Sequence, residues 1–507
     1  MTVSPATLAP ALLVAVLLLQ LPVLPDLGTL WLLGTGALVV VAVLIRHRAR
    51  ASRIALLALL LLPLRTVYEG SLWERQLLPE SCEGQLLTLT ARSIGLARFY
   101  EQPDGRLWRS RLSIETISPA NCRGPRRALV YLPSKLLGEL RPEEAEALEP
   151  GSRFRITARL RRPWGRVNPE SLEGERAYVT RKIHAIGSAH MLRSLPGRDD
   201  APARLNRLRA QLSAWLRAHA DERVAPLLAA LGVADRRFIA PETWEQLRRY
   251  GLTHLMVVSG LHISLAALPG WCLGYLLSRL GNAGEPAGRI LPVLLALLGA
   301  GAYTLLAGAT LPTQRALLML LFMSLPRLAA RSACASRTLS MAVLFILLLD
   351  PLALLGASFW LSAGAVALIL WLSACSAPRR GLTALPRLQL FLLIAMLPVG
   401  LFWFGQASGP GAVLNLVAIP LVSFCALPAL LVTLLLATQW ETAALQLLDL
   451  AGWPLDLLLR LMEFGDSIQP TQAMLELNTM TAVLLLALAG SCLIVLPLGR
   501  GALIAGM

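Results

Sequence analysis

His254, Ser259, Gly260 and His262 stand out in a largely apolar run at residues 250–265, YGLTHLMVVSGLHISL. Polar groups in hydrocarbon must find a partner or line a wet path, so His254, Ser259, Gly260 and His262 are candidates for function. Metal ligation is one chemistry open to them. On one continuous helix, however, the eight-residue step between the histidines is a rise of about 12 Å, too far to share an ion. A metal would need a sharp break at Gly260 and a third ligand, so neither a metal nor a cofactor is expected. Ser259 and His262 at i, i+3 could meet as nucleophile and base, as an intramembrane serine hydrolase requires. No third member or oxyanion motif accompanies them. The remaining readings are compatible with each other: the polar groups line a pore, or they knit helices together where Gly260 lets backbones approach.

Arg315 is the second anomaly, an arginine one or two turns into the apolar run LAGATLPTQRALLMLL, residues 306–321. At mid-membrane an arginine costs roughly 2.5–3.5 kcal/mol on insertion scales. Either it faces a wet lumen and offers passing phosphates a permanent cation, or it snorkels from a helix end. Ser358 and Ser362 interrupt the run at 350–369, and Asn415 interrupts the run at 404–424, where Gly-Pro-Gly at 409–411 reads as a broken or re-entrant helix. Discontinuous helices are common along transport paths.

The elements that must position these residues follow from composition. The chain has 507 residues, 55% hydrophobic and 15% charged, with a mean hydropathy of +0.60. This describes a polytopic α-helical membrane protein seated in a lipid bilayer. Apolar runs near 8–24, 30–45, 54–68, 255–280, 290–309, 311–328, 339–350, 357–372, 388–404, 413–438, 445–461 and 481–498 predict about nine to twelve spans. No Lys or Arg precedes Arg46, so the N-terminus reads as a retained helix and not a cleaved signal. The cluster RHRARASR at 46–53 belongs in the cytoplasm by the positive-inside rule. One further crossing then puts the polar region outside, and the loops with Arg327, Arg331 and Arg337, then Arg379, Arg380 and Arg387, return to the cytoplasm. The expected division is N-terminal helices at 1–68, an inserted extracytoplasmic domain at 69–198, interfacial amphipathic helices at 199–250 and a channel-like bundle at 251–507. Net charge is +16, but many of the arginines serve topology, so charge alone is weak evidence for nucleic acid.

Between 84 and 188 the pattern changes to short runs rich in β-formers. Strands are predicted at 86–94, 107–117, 128–132, 153–160 and 177–186, enough for a small closed β-barrel, with an OB-like fold the simplest candidate. Trp108, Trp164 and Tyr178 lie among arginines. They serve either as stacking faces for a single strand or as barrel core. Cys82 and Cys122 are candidates for a disulfide in an oxidising compartment. Cys272, Cys334, Cys375, Cys425 and Cys492 read as small buried apolar residues. Leucines at helical spacing with arginines opposite over 204–217, RLNRLRAQLSAWLR, predict a basic amphipathic helix.

The stretches YGLTHLMVVSGLHISL, PTQRALLML, DPLALLGASFWLSAGAVALI and NLVAIPLVSF, in this order, resemble the competence-domain segments of the ComEC family, the inner-membrane DNA-internalisation channel of natural transformation. Ahead of them RVNPESLEGERAYVTRKIHAIG, residues 166–187, is similar to the end of that family's extracytoplasmic OB-like domain. The resemblance covers roughly residues 85–430 and implies a multi-pass protein of the bacterial inner membrane. It also implies passage of single-stranded DNA to the cytoplasm, received from a periplasmic DNA-binding competence protein and pulled by a cytoplasmic helicase-like translocase. Many relatives carry a metallo-β-lactamase-like nuclease domain with an H-x-H-x-D-H motif. Here the last histidine is His262, so a separate nuclease is expected and the chain itself is read as a channel, not an enzyme. An intramembrane serine hydrolase and a small-solute transporter are the alternatives.

Overall fold

The structure, a computed structural model, describes residues 12, 14–16, 50–96, 98–102, 105–133, 151–163, 174–195, 200–281, 284–375, 384–404, 406–437, 439–468 and 474–476. The apolar runs at 8–24, 30–45 and 481–498, apart from a few residues of the first, lie outside them, as do Trp164, Arg379 and Arg380.

After helix α1 (Arg50–Arg75) the chain enters a barrel of strands β1 (Leu86–Ser93), β2 (Arg98–Gln102), β3 (Gly105–Ser118), β4 (Arg127–Pro133), β5 (Arg153–Arg161) and β6 (Ala185–Leu195). Strand alternation puts every second residue on one face. Leu87, Leu89 and Ala91 of β1 and Phe154, Ile156, Ala158 and Leu160 of β5 are accordingly all buried. The sheet runs β1-β5-β6-β4-β3, with β2 as a hairpin extension of β3. It closes because β1 pairs with β3 as well as β5. The β4–β6 pairing is parallel and the other pairings are antiparallel. Gly187 sits where a Cβ would collide with the Arg159 carbonyl, so this crossing needs a residue without a side chain. Two short turns, Glu80–Cys82 and Ala120–Cys122, are joined by a Cys82–Cys122 disulfide with Cα atoms 5.7 Å apart.

The strand expected at 177–186 is instead helix α2 (Gly174–Thr180) followed by the start of β6. Tertiary docking overrides the β-propensity of Tyr-Val-Thr. Tyr178 packs beside Leu129, Ile183 and Ile186, and the helix rests against the turn at Pro351–Leu355. It stops because Lys182 turns left-handed, φ 52°, with the Lys182 and Ile183 amides donating to Val179 and Tyr178.

Three helices link the barrel to the bundle: α3 (Ala201–His219), α4 (Ala225–Val233) and α5 (Pro241–Arg249). Asp200 caps α3 by accepting from the Ala203 amide and pairs with Arg92 of the barrel at 2.5 Å. Arg209 departs from the expectation that the arginines of 204–217 face outward, because it is buried. Its guanidinium donates to the carbonyls of Val233 at 2.9 Å and Leu306 at 2.8 Å and to Asn206 Oδ1 at 2.8 Å. A cation there satisfies orphan carbonyls at two helix ends. Helix α4 is apolar all round and buried along almost its whole length, the pattern of a central core helix.

The bundle continues with α6 (Gly260–Leu280), α7 (Glu285–Leu306), α8 (Leu311–Leu328), α9 (Ala335–Leu349), α10 (Ala357–Cys375) and α11 (Ala384–Phe404). Strand β7 (Gln406–Ser408) follows, then α12 (Gly409–Pro420), a π-turn at Leu421–Ala426, α13 (Leu427–Leu436), α14 (Glu441–Ile468) and β8 (Met474–Glu476). Among the described residues four helices are long and apolar enough to cross a membrane: 260–280, 285–306, 414–436 and 441–467. Helices α6 and α7 pack at backbone distance, since Gly270 lies on the Leu295 carbonyl and Gly274 on Pro292. Short connections reverse the chain from α6 through α10. The amino ends of α6, α8 and α10 therefore share one end of the bundle with the turns at 307–310 and 350–356, where Arg209 and α2 dock. Arg327, Arg331 and Arg337 lie at the opposite end.

Two expectations for this region are corrected. Gly-Pro-Gly at 409–411 begins α12 and does not break a helix; the irregularity falls at the π-turn after Pro420, which lacks an amide to donate. Cys272, Cys334 and Cys425 are exposed on the protein and not buried in it.

Candidate functional site

Residues 251–259 are not helical, and α6 begins only at Gly260 because Ser259 caps it. The Ser259 hydroxyl accepts from the His262 amide at 3.5 Å, and His262 Nδ1 accepts from the Ser259 amide at 3.3 Å, a reciprocal capping box. Both groups are committed to the backbone, which leaves no nucleophile-to-base contact between them. His262 is fully buried and its Nε2 meets no partner among the described residues. His254 stays in the preceding turn, exposed, with Nδ1 donating to the Gly251 carbonyl at 2.8 Å. Gly260 faces α8: a Cβ built on it would lie 3.6 Å from Ala316 Cβ.

Arg315, in the second turn of α8, is buried to 5% exposure. Its Nε and Nη2 both lack a hydrogen bond among the described residues. These two atoms form the side-on fork of the guanidinium, the edge that matches a carboxylate or phosphate. Leu318, Met319 and Phe322, one turn and two turns along the same face, pack toward α9 and the Pro351–Leu355 turn. The Asp350 carboxylate at that turn is close enough to act on Arg315 through its charge.

Asp350 belongs to a seam of charges between barrel and bundle. Lys182 Nζ lies 3.5 Å from both Asp350 Oδ1 and Glu69 Oε2, and Glu69 is bound by Arg65 at 2.5 Å. Arg65 also donates to the Leu348 carbonyl at 3.0 Å, capping the end of α9. Asp350 Oδ1 accepts no hydrogen bond among the described residues. Lys182 is held in its left-handed conformation at a cost of about 1–2 kcal/mol. Sequence reasoning did not select Lys182, Glu69 or Arg65. One signal was available, since Lys135 and Lys182 are the lysines of a chain that otherwise uses arginine.

Asn415 Oδ1 and Ser423 Oγ are also unpartnered among the described residues. Asn415 shares a helical face with Ala418 and Val422, which join Ile263, Ala266 and Ala267 of α6 in one core. Ser358 is exposed at the seam, beside Gly356 and Thr180 of α2. Ser362 donates within its own helix to Phe359 at 3.0 Å. Trp108 and Tyr178 are half-buried: the first packs against the barrel core, the second against β4 and β6. Among the described residues no three His, Cys, Asp or Glu side chains gather as a metal would require.

A family model described as Competence protein matches residues 231–500. Recombination protein 2 of Haemophilus influenzae is 33% identical over 221 residues, 40% of this chain and 28% of its own length. Competence protein ComA of Neisseria gonorrhoeae is 36% identical over 233 residues, 45% of this chain and 33% of its own. ComE operon protein 3 of Bacillus subtilis is 27% identical over 298 residues, 58% of this chain and 37% of its own. The alignments therefore span about a third of the relatives' length. No solved structure matches the chain.

Proposed function

The chain belongs to the competence protein family, and from that premise we propose that it passes single-stranded DNA across the bacterial inner membrane during natural transformation. The carrying observation is the pair of buried polar side chains, His262 and Arg315, with atoms that meet no partner among the described residues near the amino ends of α6 and α8. Buried polar groups are normally satisfied, and exceptions ask for a solvent or ligand. These two lie at the end of the bundle where the barrel docks. In this reading the barrel is an OB-like domain on the periplasmic side, a view supported by its closed five-strand order and parallel β4–β6 pairing. The basic loops at the far end then face the cytoplasm.

His254, Ser259, Gly260, His262, Arg315, Ser358, Ser362 and Asn415 line or brace the path, and Trp108, Trp164 and Tyr178 contribute to the barrel's strand contacts. Sparse cations suit a conduit, where binding must be firm enough to admit the strand and weak enough to release it. The reading calls for a periplasmic DNA-binding protein to deliver the duplex, a nuclease to degrade the other strand and a cytoplasmic helicase-like translocase to pull. The test is transformation frequency together with labelled-DNA uptake in a clean deletion strain and its complemented control. Loss of transformation with DNA still gathered outside the inner membrane is expected. Unchanged transformation in competent cells refutes the conduit.

A further inference from the structure

We propose that Arg315 is a docking point for one phosphodiester of the strand, beside a seam in which Asp350, paired to Lys182, is the internal anion whose charge competes with the phosphate. The inference rests on the conduit reading and names the group of the strand that the mouth of the bundle recognises.

The argument begins with the unsatisfied fork. Arg315 Nε and Nη2 are buried, point side by side and bond nothing among the described residues. A tetrahedral phosphate offers two oxygens at the spacing this edge requires. The amino end of α8 lies one turn away, adding partial positive charge to the same place. Charge counting in the seam points the same way. Arg65, Lys182 and Arg315 are three cations against two carboxylates, Glu69 and Asp350. Within this set one positive charge is uncompensated, and one phosphodiester supplies one negative charge.

The two carboxylates are not equivalent. Glu69 is held at 2.5 Å by Arg65 and also lies beside Lys182. Among the described residues Asp350 has the 3.5 Å ion pair to Lys182, with Oδ1 accepting no hydrogen bond, and acts on Arg315 at a distance. Asp350 is thus the more weakly held carboxylate and the one whose charge opposes an incoming anion. Lys182 belongs to the barrel side of the seam, immediately after α2. A phosphate arriving at Arg315 therefore contacts the junction of barrel and bundle, where a strand leaving the barrel must enter.

The test uses the full chain in nanodiscs of phosphatidylcholine, with a fluorescent single-stranded oligonucleotide titrated across a range of salt. Arg315→Gln is expected to weaken binding about ten- to hundredfold, the effect of a charge-assisted pair. It should also flatten the log–log salt slope by about 0.7, one phosphate contact. Arg315→Lys keeps the charge and loses the fork, so its affinity falls while its slope stays near wild type. Asp350→Asn removes the competing anion and is expected to tighten binding, a gain that misfolding cannot produce. Wild-type affinity and slope in Arg315→Gln, or weaker binding in Asp350→Asn, overturns the docking point and leaves the conduit standing. A wild-type protein that binds no strand, with a deletion strain that transforms normally, refutes both.

A phospholipid headgroup carries the same phosphodiester chemistry. Native mass spectrometry in discs containing phosphatidylglycerol separates the two sources. A lipid held by wild type, lost in Arg315→Gln and not displaced by the oligonucleotide overturns the assignment to the strand.

Discussion

Arg209→Ala tests whether a single buried cation holds the linker helices to the bundle. The guanidinium satisfies the Val233 carbonyl at the end of α4 and the Leu306 carbonyl at the end of α7, as well as Asn206. Burial pushes its pKa down to about 10 against the favourable charge of Asp235, so it is still charged at neutral pH. Removing it leaves two buried carbonyls without a donor, each costing about 1–3 kcal/mol, and removes a cation from two helix ends, about 0.3–1 kcal/mol apiece. Water entering the space offsets part of this, so the expected loss is about 3–5 kcal/mol. Pulse proteolysis against denaturant in detergent reads the folded fraction. Arg209→Lys recovers about half of the loss, because an ammonium cannot reach both carbonyls at once. Gly308 supplies the internal control. Its φ is +73° and a Cβ there would lie 2.5 Å from the guanidinium carbon, so Gly308→Ala destabilises by itself. The double variant should be less than additive, since Arg209→Ala removes the atoms it strikes. A loss below about 1 kcal/mol in Arg209→Ala, or strict additivity with Gly308→Ala, refutes the reasoning.

Ser259→Ala removes the cap of α6 and is expected to cost about 1 kcal/mol, whereas Ser259→Asp, which also caps, behaves like wild type in stability and uptake; labelling by a serine-reactive probe that disappears in Ser259→Ala would instead support the hydrolase. In the barrel, burial and the nearby Arg127 and Arg126 charges push His184 down to about 4, and its Nδ1 accepts the Arg127 amide at 3.1 Å, which requires the ring unprotonated there. The unfolded chain binds this proton more readily, so barrel stability falls as pH drops from about 6.5 towards 4 and levels off below; His184→Gln should remove that component, and an unchanged pH profile would exclude His184 as its source. Gly260→Ala fits the 3.6 Å space to Ala316 and should transform normally. Gly260→Leu forces α6 from α8 and lowers transformation at equal protein level, with Ala316→Gly restoring it.

The barrel was legible because alternation survives in the letters. RFRITARLR and LLTLTARS each show the buried and exposed faces directly, and four of the five expected strands fall within a few residues of those observed. The fifth failed where docking, not local preference, decided between helix and strand. The bundle's apolar helices were legible by length and hydropathy, and α6 started later than expected because a serine cap is a local signal that an apolar run conceals. The seam was not legible. Lys182 and Asp350 meet through the packing of α2 on a turn, and no spacing in the sequence encodes an encounter between residues so far apart. Arg209 shows the same limit: its neighbours in sequence describe an outward basic stripe, and only the carbonyls of Val233 and Leu306 explain why it turns inward.

The polar residues of the bundle divide between two cores, and α8 separates them. Ala316, Leu317 and Leu320 pack against the core that holds Ile263 and Val422, while Leu318, Met319 and Phe322 pack against the core of α9 and α10. His262 and Asn415 therefore belong with the first flank and Arg315 with the second. In the proposed conduit a strand that meets both flanks has to cross the amino end of α8, where Gly260 of α6 faces Ala316. The contacts that fix this crossing are short-range and apolar, whereas the barrel is set above it by ion pairs, Arg92 with Asp200 and Lys182 with Glu69 and Asp350. Partly exposed ion pairs weaken in salt and exchange partners more readily than packed apolar side chains shift. The crossing is consequently the rigid part of this end of the bundle, and the barrel's seat on it is the part that salt loosens; in the proposed conduit it is also the part that a polyanion rearranges.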